Sequence, residues 1–143
     1  MRGFRPDELA EARRSAGISQ RELARLSRLN ADTIRRWETG DSSPQVDLLA
    51  RVAAAIGISI ADVVKVPESD RYPGDWRVLR GLTQPMLGAV AGVTTQIVGS
   101  VERGEISLSD NVAQKLSAAL GISEAELRAS YERVRNRPMG EPA

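Results

Sequence analysis

Apolar side chains recur every three or four positions along most of the chain, the spacing expected of helices with one buried face. The clearest stripe comprises Leu23, Leu29, Ile34 and Trp37, and it recurs as Leu87, Val93, Val98 and Val101. Strict alternation of apolar and polar residues, which indicates a half-buried strand, is nearly absent. The pattern therefore predicts an all-α protein.

Residues that begin and end helices divide each half of the chain into five short helices. In the first half the starts are Pro6, Ser19, Asn30, Pro44 and Ser59, and the stops are Gly17, Gly40 and Gly57. In the second half the starts are Asp75, Thr83, Thr94, Ser109 and Ser123, and the stops are Gly81, Gly104 and Gly121. Glu22 follows Ser19 at the spacing of a reciprocal capping box. Five helices joined by tight turns make a small all-α domain.

The two halves of the chain repeat one another. Residues 13–63 and 77–127 align without a gap at a constant offset of 64, and thirteen of the 51 aligned positions are identical. Each copy is about 60 residues long, which exceeds the period of solenoid repeats and is enough for a small domain. We therefore expect two domains, at 1–66 and 75–143, joined by a polar linker with two prolines at 67–74. The second domain should have a longer final helix.

The composition excludes several kinds of site. The chain has no His and no Cys, which rules out an imidazole base, a thiol nucleophile, a disulfide and a His/Cys zinc site. We expect no metal, no cofactor and no enzymatic activity, because the carboxylates show no paired arrangement. Residues 81–101 carry no charge but are too polar to span a bilayer, so no membrane contact is expected. The absence of a secretory signal predicts a cytoplasmic protein.

Positive charge is not concentrated in either half of the chain. Lys and Arg minus Asp and Glu is 11 − 9 = +2 for residues 1–66 and 9 − 10 = −1 for residues 67–143. A surface that binds a polyanion must therefore arise from the local arrangement of charges.

Residues 20–38 and 84–102 have the spacing of a helix-turn-helix, with Ala24 and Gly88 where two helices must approach closely. They resemble the lambda/434-repressor-like (Cro/C1, or XRE) family of DNA-binding domains, and the resemblance extends over nearly all of both copies. The resemblance implies tandem five-helix domains of that fold. It also implies two buried structural ion pairs, Arg13 with Glu38 and Arg77 with Glu102.

Two positions depart from the family pattern. Arg28 occupies the turn between helices two and three, where the family usually has the glycine that Gly92 retains. A left-handed Arg costs about 1 to 2 kcal/mol, so we expect a looser first turn. Gly99 lies inside the third helix of the second copy and should weaken that helix by about 1 kcal/mol relative to Ala.

The outward residues of the third helix are the candidate DNA contacts. In the first copy the candidates are Gln20 at the start of helix two, followed by Asn30, Ala31, Asp32, Thr33, Arg35 and Arg36. Arg can bind guanine, Asp can accept from cytosine, methyl groups can contact thymine, and helix N-termini can bind phosphate. In the second copy the candidates are Gln84, Thr94, Thr95, Gln96 and Ser100, which offer hydrogen bonds but no cation. A solvated arginine-rich face is the simpler alternative for the first copy.

These observations predict a sequence-specific regulator of transcription that binds double-stranded DNA, expected to be a repressor of bacterial or phage type associated with the nucleoid. Because the two third helices differ, one chain should bind an asymmetric operator. Ten extended residues, from 65 to 74, would reach about 33 to 36 Å, close to one turn of DNA.

The alternative is a protein-interaction module, such as an antitoxin, in which the second domain and the last helix hold a partner protein or a second copy in a homodimer. A strongly apolar exposed face on the last helix would favour this alternative, whereas a basic face would favour DNA.

Overall fold

The computed structural model of the chain describes residues 1–143 and divides into two compact units, Met1–Lys65 and Val66–Ala143. Nine α-helices and two single turns of 3-10 helix make up the regular structure, apart from one isolated antiparallel bridge between Phe4 and Val64. The predicted all-α fold is confirmed. None of the helices has both the length and the apolar character needed to cross a membrane.

The first unit has four α-helices followed by a 3-10 turn. The helices are α1 (Pro6–Ser15), α2 (Gln20–Ser27), α3 (Ala31–Thr39) and α4 (Val46–Ile56), and the turn is Ile60–Asp62. The predicted fifth helix is thus a single turn, which begins with a capping box between Ser59 and Asp62. The reciprocal capping box predicted at Ser19 is not formed, because the carboxylate of Glu22 binds Arg25 instead.

The core of the first unit lies between these helices. Its fully buried members are Leu9, Leu23, Ile34, Leu49, Val52 and Val63. Trp37 is only 3% exposed, so it belongs to the core. Since α2 packs against both α3 and α4 while α1 packs against α3, the outward side of α3 is left facing solvent.

The second unit repeats this plan with one further helix. Its elements are a 3-10 turn at Glu68–Asp70, α5 (Pro73–Leu79), α6 (Gln84–Ala91), α7 (Thr95–Glu102), α8 (Asp110–Leu120) and α9 (Glu124–Arg135). Helix α5 begins at Pro73 and not at the predicted cap, Asp75. The carboxylate of Asp75 instead accepts a hydrogen bond of 2.8 Å from the N–H of Tyr72, one turn back.

Residues 66–72 belong to the second unit and do not form the extended linker that the sequence predicts. Val66 and Tyr72 are buried, and a 3-10 turn lies between them. Arg71 donates a hydrogen bond of 3.0 Å to the carbonyl of Val66, and its guanidinium lies 4.5 Å from the centre of the Trp76 ring. Pro67 and the polar residues of this segment therefore belong to a folded turn, and the reach calculated for an extended chain does not apply.

The turns that join helices two and three have the same geometry in both units. Arg28 is left-handed, with φ 59° and ψ 41°, and Gly92 has φ 74° and ψ 34°. The hydrogen bond from Leu29 N–H to the Ala24 carbonyl measures 2.9 Å, and its counterpart from Val93 to Gly88 measures 3.0 Å. The expectation of a looser first turn was wrong, because the two turns share the same left-handed conformation and the same hydrogen bond.

Helix α9 packs against its own unit. Leu127, Ser130, Tyr131 and Val134 are buried, and the Tyr131 hydroxyl donates to the carbonyl of Ile106. The exposed side of α9 consists of Glu124, Ala125, Glu126, Ala129, Glu132 and Arg135. This side is mixed in charge and is not a strongly apolar face.

Candidate nucleic-acid interface

A bidentate ion pair ties helix three to helix one in each unit. In the first unit, Arg13 Nε and Nη2 donate to the Glu38 carboxylate at 2.7 and 2.9 Å. In the second, Arg77 makes the same contacts with Glu102 at 2.6 and 2.9 Å. The four side chains are 5–14% exposed. Such a pair fixes the C-terminal end of helix three, because a buried charge without its partner would be costly.

A glutamine from the start of helix two completes each pair. Gln20 Nε2 donates to Glu38 Oε1 at 3.1 Å, and Gln84 Nε2 donates to Glu102 Oε1 at 3.0 Å. Both glutamines were predicted as DNA contacts. A side-chain amide has two hydrogens and one acceptor oxygen, so each glutamine keeps one N–H and its carbonyl for a contact outside the chain.

The ion pair of the first unit lowers the pKa of Glu38. Burial opposes this shift, since it disfavours the charged form, but the hydrogen bonds from Arg13 and Gln20 and the charge of Arg13 outweigh burial. Glu38 therefore remains a carboxylate at neutral pH, which preserves both hydrogen bonds from Arg13.

Four exposed residues form the outward side of α3, which we call the first recognition face: Asp32, Arg35, Arg36 and Thr39. Their spacing of i, i+3, i+4 and i+7 places them on one side of the helix, opposite buried Ile34 and Trp37. Thr39 was not predicted as a candidate, although its position seven residues after Asp32 was sufficient to find it.

The two arginines of the first recognition face differ in their partners. Arg35 donates to Asp32 Oδ1 from Nη2 at 2.6 Å and from Nε at 3.2 Å, and it lies 4.0 Å from Asp41. Arg36 is exposed and forms no ion pair. Arg36 is therefore the cation of this face that has no ion-pair partner, whereas Arg35 is held in an exposed pair with Asp32.

The side chain of Asn30 caps the N-terminus of α3. Asn30 Oδ1 accepts hydrogen bonds from the Thr33 N–H at 2.8 Å and from the Thr33 hydroxyl at 2.9 Å. Ala31 is half-buried beside them. These three candidates thus shape the N-terminus of the helix, where backbone N–H groups without an intrahelical partner can bind an anion.

Further cations lie around α2. Arg14, Arg21 and Arg28 are exposed and form no ion pair, whereas Arg25 is paired with Glu22. Helix α6 of the second unit has no such charge, and it has Pro85 at the position of Arg21. Since proline has no N–H, the N-terminus of α6 also offers one fewer backbone donor than that of α2.

The second unit places its candidates along α7 and at the start of α6. Thr94 caps α7, because its hydroxyl oxygen accepts from the Ile97 N–H at 3.2 Å. Thr95 and Gln96 are exposed, and Ser100 is half-buried on the same helix. We call the outward set Gln96, Gly99, Ser100 and Arg103 the second recognition face.

Arg103 was not among the predicted DNA contacts, although its position seven residues after Gln96 was sufficient to find it, as for Thr39. A Cβ atom built on Gly99 would lie 2.9 Å from Arg103 Nη1 and 3.5 Å from Gln84 Oε1. The guanidinium therefore lies against the backbone of Gly99, which is buried although it occupies the outward position of Arg35. The two residues are four positions apart, so this spacing was a local signal for the contact.

Comparison with known families agrees with the duplication. The family model described as helix-turn-helix matches the chain twice, over residues 9–63 and 75–127. The two matched spans contain both ion pairs and both recognition faces. A search among curated proteins gave no match.

Proposed function

Because the chain belongs to the Cro/C1-type (XRE) helix-turn-helix family of DNA-binding transcription regulators, we propose that its first recognition face binds the major groove of a specific operator. The observation that carries this proposal is the exposed, unpaired guanidinium of Arg36 on the outward side of α3. A guanidinium in that position can donate two hydrogen bonds to O6 and N7 of one guanine.

The other candidates of the first unit divide between base and backbone contacts. Asp32 holds the guanidinium of Arg35, so these two side chains present one oriented group to the base edges. The N-termini of α2 and α3 bind phosphate oxygens, and the remaining side-chain N–H of Gln20 offers a further donor at the start of α2. Arg14, Arg21 and Arg28 neutralise phosphates wherever the duplex passes close to them.

The second unit contributes a different half of the operator. Thr95, Gln96 and Ser100 can hydrogen-bond to base edges but cannot prefer the same bases as Asp32 and Arg36. The two domains, predicted at 1–66 and 75–143, are thus proposed as unlike DNA-binding modules on one chain. An asymmetric operator follows from that difference.

We further propose that the regulator acts as a repressor by occupying a promoter or operator on the nucleoid. Occupancy of DNA by the regulator is supported because helix-turn-helix matches cover most of the chain. The family is a DNA-binding regulatory one and not an enzymatic one.

Selection of duplexes from a randomised pool tests this function. The full chain should enrich a defined asymmetric sequence, and Arg36→Ala should lower affinity for it by about 1 to 3 kcal/mol while relaxing preference at one or two base pairs. Arg51→Ala is the matched control, because Arg51 is an exposed cation on α4 and not on the recognition face. Equal binding by Arg36→Ala and the wild type would contradict the proposed face.

A second candidate function is binding of a protein partner, either another protein such as a toxin or a second copy of the chain. The observation in its favour lies on α6, where Met86 and Val90 are 43% and 65% exposed and stand one turn apart. Measurement of the solution mass of the wild type and of Val90→Glu tests self-association. A monomeric wild type that binds duplex DNA with high affinity would argue against a homodimer on this face.

A further inference from the structure

The second recognition face lacks a cation on the helix itself. Gly99 and Ser100 stand where the first unit has Arg35 and Arg36. Neutralisation of phosphates supplies much of the affinity of DNA-binding proteins, so this face would bind weakly if nothing replaced those charges.

Arg103 brings a positive charge to this face from the C-terminal end of the helix. Long side chains on a helix extend towards its N-terminus, and Arg103 follows this rule by lying back over Gly99, one turn earlier. Its Nη1 is 2.9 Å from the place where any other residue at position 99 would have its Cβ. A Cβ atom at position 99 would therefore make the guanidinium move from its present place.

The backbone of Arg103 is held at both of its polar groups. Its N–H donates to the Gly99 carbonyl at 3.0 Å, and its own carbonyl accepts from Arg137 Nη1 at 2.9 Å. The side chain is therefore anchored at its base while its end lies on the surface.

The guanidinium keeps donors for an outside ligand. Its Nε donates to Glu105 Oε1 at 2.9 Å, in an ion pair whose side chains are 47% and 56% exposed. An exposed pair of this kind contributes little, so it does not prevent a stronger anion from binding. The donors of Nη1 and Nη2 form no hydrogen bond within the chain.

The first unit has the opposite arrangement of long and short side chains at the same two positions of helix three. It has Arg35 where the second unit has Gly99, and it has Thr39 where the second unit has Arg103. The first unit therefore has its cations on the helix itself, at Arg35 and Arg36, whereas the second unit brings one to the middle of helix three from position 103. A large side chain at both positions of one unit would compete for the same space.

We propose that Arg103 is the phosphate-binding cation of the second recognition face, and that Gly99 is required because it lets the guanidinium lie there. The proposal rests on the proposed DNA-binding function and extends it to a residue beyond the end of α7. It also gives Gly99 a role other than weakening the helix.

The test measures the affinity of the full chain for a duplex selected from a randomised pool, over a series of salt concentrations. Arg103→Ala should make the plot of log affinity against log salt less steep by about one unit. It should weaken binding to the selected and to a scrambled duplex alike, because a phosphate contact carries no sequence preference. Lys115→Ala removes a positive charge from α8 of the same unit and should leave the slope unchanged.

Gly99→Ala tests the position of the Arg103 guanidinium without disrupting the fold of the second unit. The nearest atoms that the added methyl group meets are the movable end of Arg103 and the side-chain oxygen of Gln84, so the unit should fold, with an unchanged or higher thermal midpoint since Ala favours helix. DNA binding should nevertheless weaken because the guanidinium is displaced. Affinity equal to that of the wild type would overturn the requirement for glycine.

Two results distinguish this proposal from the proposed function. If Arg36→Ala weakens specific binding but Arg103→Ala leaves the salt slope unchanged, the role of Arg103 is refuted and the function of the first face stands. If Arg36→Ala has no effect on binding, the function itself fails. A slope changed equally by Arg103→Ala and Lys115→Ala would also refute the proposal, since net charge alone would then explain it.

Discussion

The two units share one internal frame and differ in the chemistry of their recognition faces. The hydrogen bonds among the arginine, the glutamate and the glutamine measure 2.7, 2.9 and 3.1 Å in the first unit and 2.6, 2.9 and 3.0 Å in the second. On the outward side of helix three, by contrast, Asp32, Arg35 and Arg36 are replaced by Gln96, Gly99 and Ser100. The residues that fix helix three are therefore the same in both units, while the residues on its outward surface differ.

The same comparison shows that glycine has two unlike roles in the second unit. Gly88 lies where α6 meets the next helix, and a Cβ there would come within 2.7 Å of the Val93 carbonyl oxygen. Gly99 lies on the outward side, where a Cβ would meet the end of a long side chain. A backbone oxygen cannot move away at low cost, whereas a guanidinium can.

The largest expected effect tests whether the shared frame is equally important in both units. Glu38→Ala should destabilise the first unit by about 3 to 5 kcal/mol by leaving Arg13 buried without a partner, and Glu102→Ala should do the same to the second. Glu38→Gln should cost less because an acceptor oxygen remains. Unfolding of the first unit can be followed by Trp37 fluorescence in a Trp76→Phe background. An unchanged midpoint in Glu38→Ala with loss of DNA binding would instead place Glu38 at the interface.

The next effect contrasts the two glycines. Gly88→Ala adds a methyl group against backbone and should destabilise the second unit by about 1 to 3 kcal/mol, less any gain of about 1 kcal/mol in helix propensity. Gly99→Ala should have the opposite sign and stabilise it by up to about 1 kcal/mol. Calorimetry measures the thermal midpoint of each variant. The prediction is wrong if both changes shift the midpoint in the same direction.

A smaller effect is expected at the turn between helices two and three. Arg28→Gly should stabilise the first unit by about 1 kcal/mol, because it relieves a left-handed conformation that glycine adopts freely. The reciprocal change, Gly92→Arg, should destabilise the second unit by a similar amount. Urea unfolding of both variants measures the difference. If Arg28→Gly is destabilising, contacts of the Arg28 side chain outweigh the strain.

The smallest effect is the pH dependence of the first ion pair. The folded state lowers the pKa of Glu38, so the contribution of Glu38 to stability is complete above its unfolded pKa of about 4.3 and is lost as the pH falls through the lower folded value. Glu38→Gln cannot titrate at this position. The difference in unfolding free energy between the wild type and Glu38→Gln should therefore shrink below about pH 4. A difference that stays constant through this range would show that Glu38 does not titrate with a lowered pKa.

Much of the fold could be predicted because it depends on neighbours in sequence. Helical periodicity, glycine stops and capping residues such as Asn30 act within one or two turns, so the sequence alone determined the all-α class, the duplication and the outward positions of Asp32, Arg35 and Arg36. The resemblance named the residues of the ion pairs, and the family match confirms the resemblance itself.

Features that join distant positions could be found only in the three-dimensional structure. The folding of residues 66–72 into the second unit, the burial of one side of α9, and the hydrogen bonds of Gln20 and Gln84 to the glutamates all involve contacts that no local pattern encodes. Such contacts depend on how the chain returns on itself in space, whereas periodicity and capping depend only on residues a few positions apart.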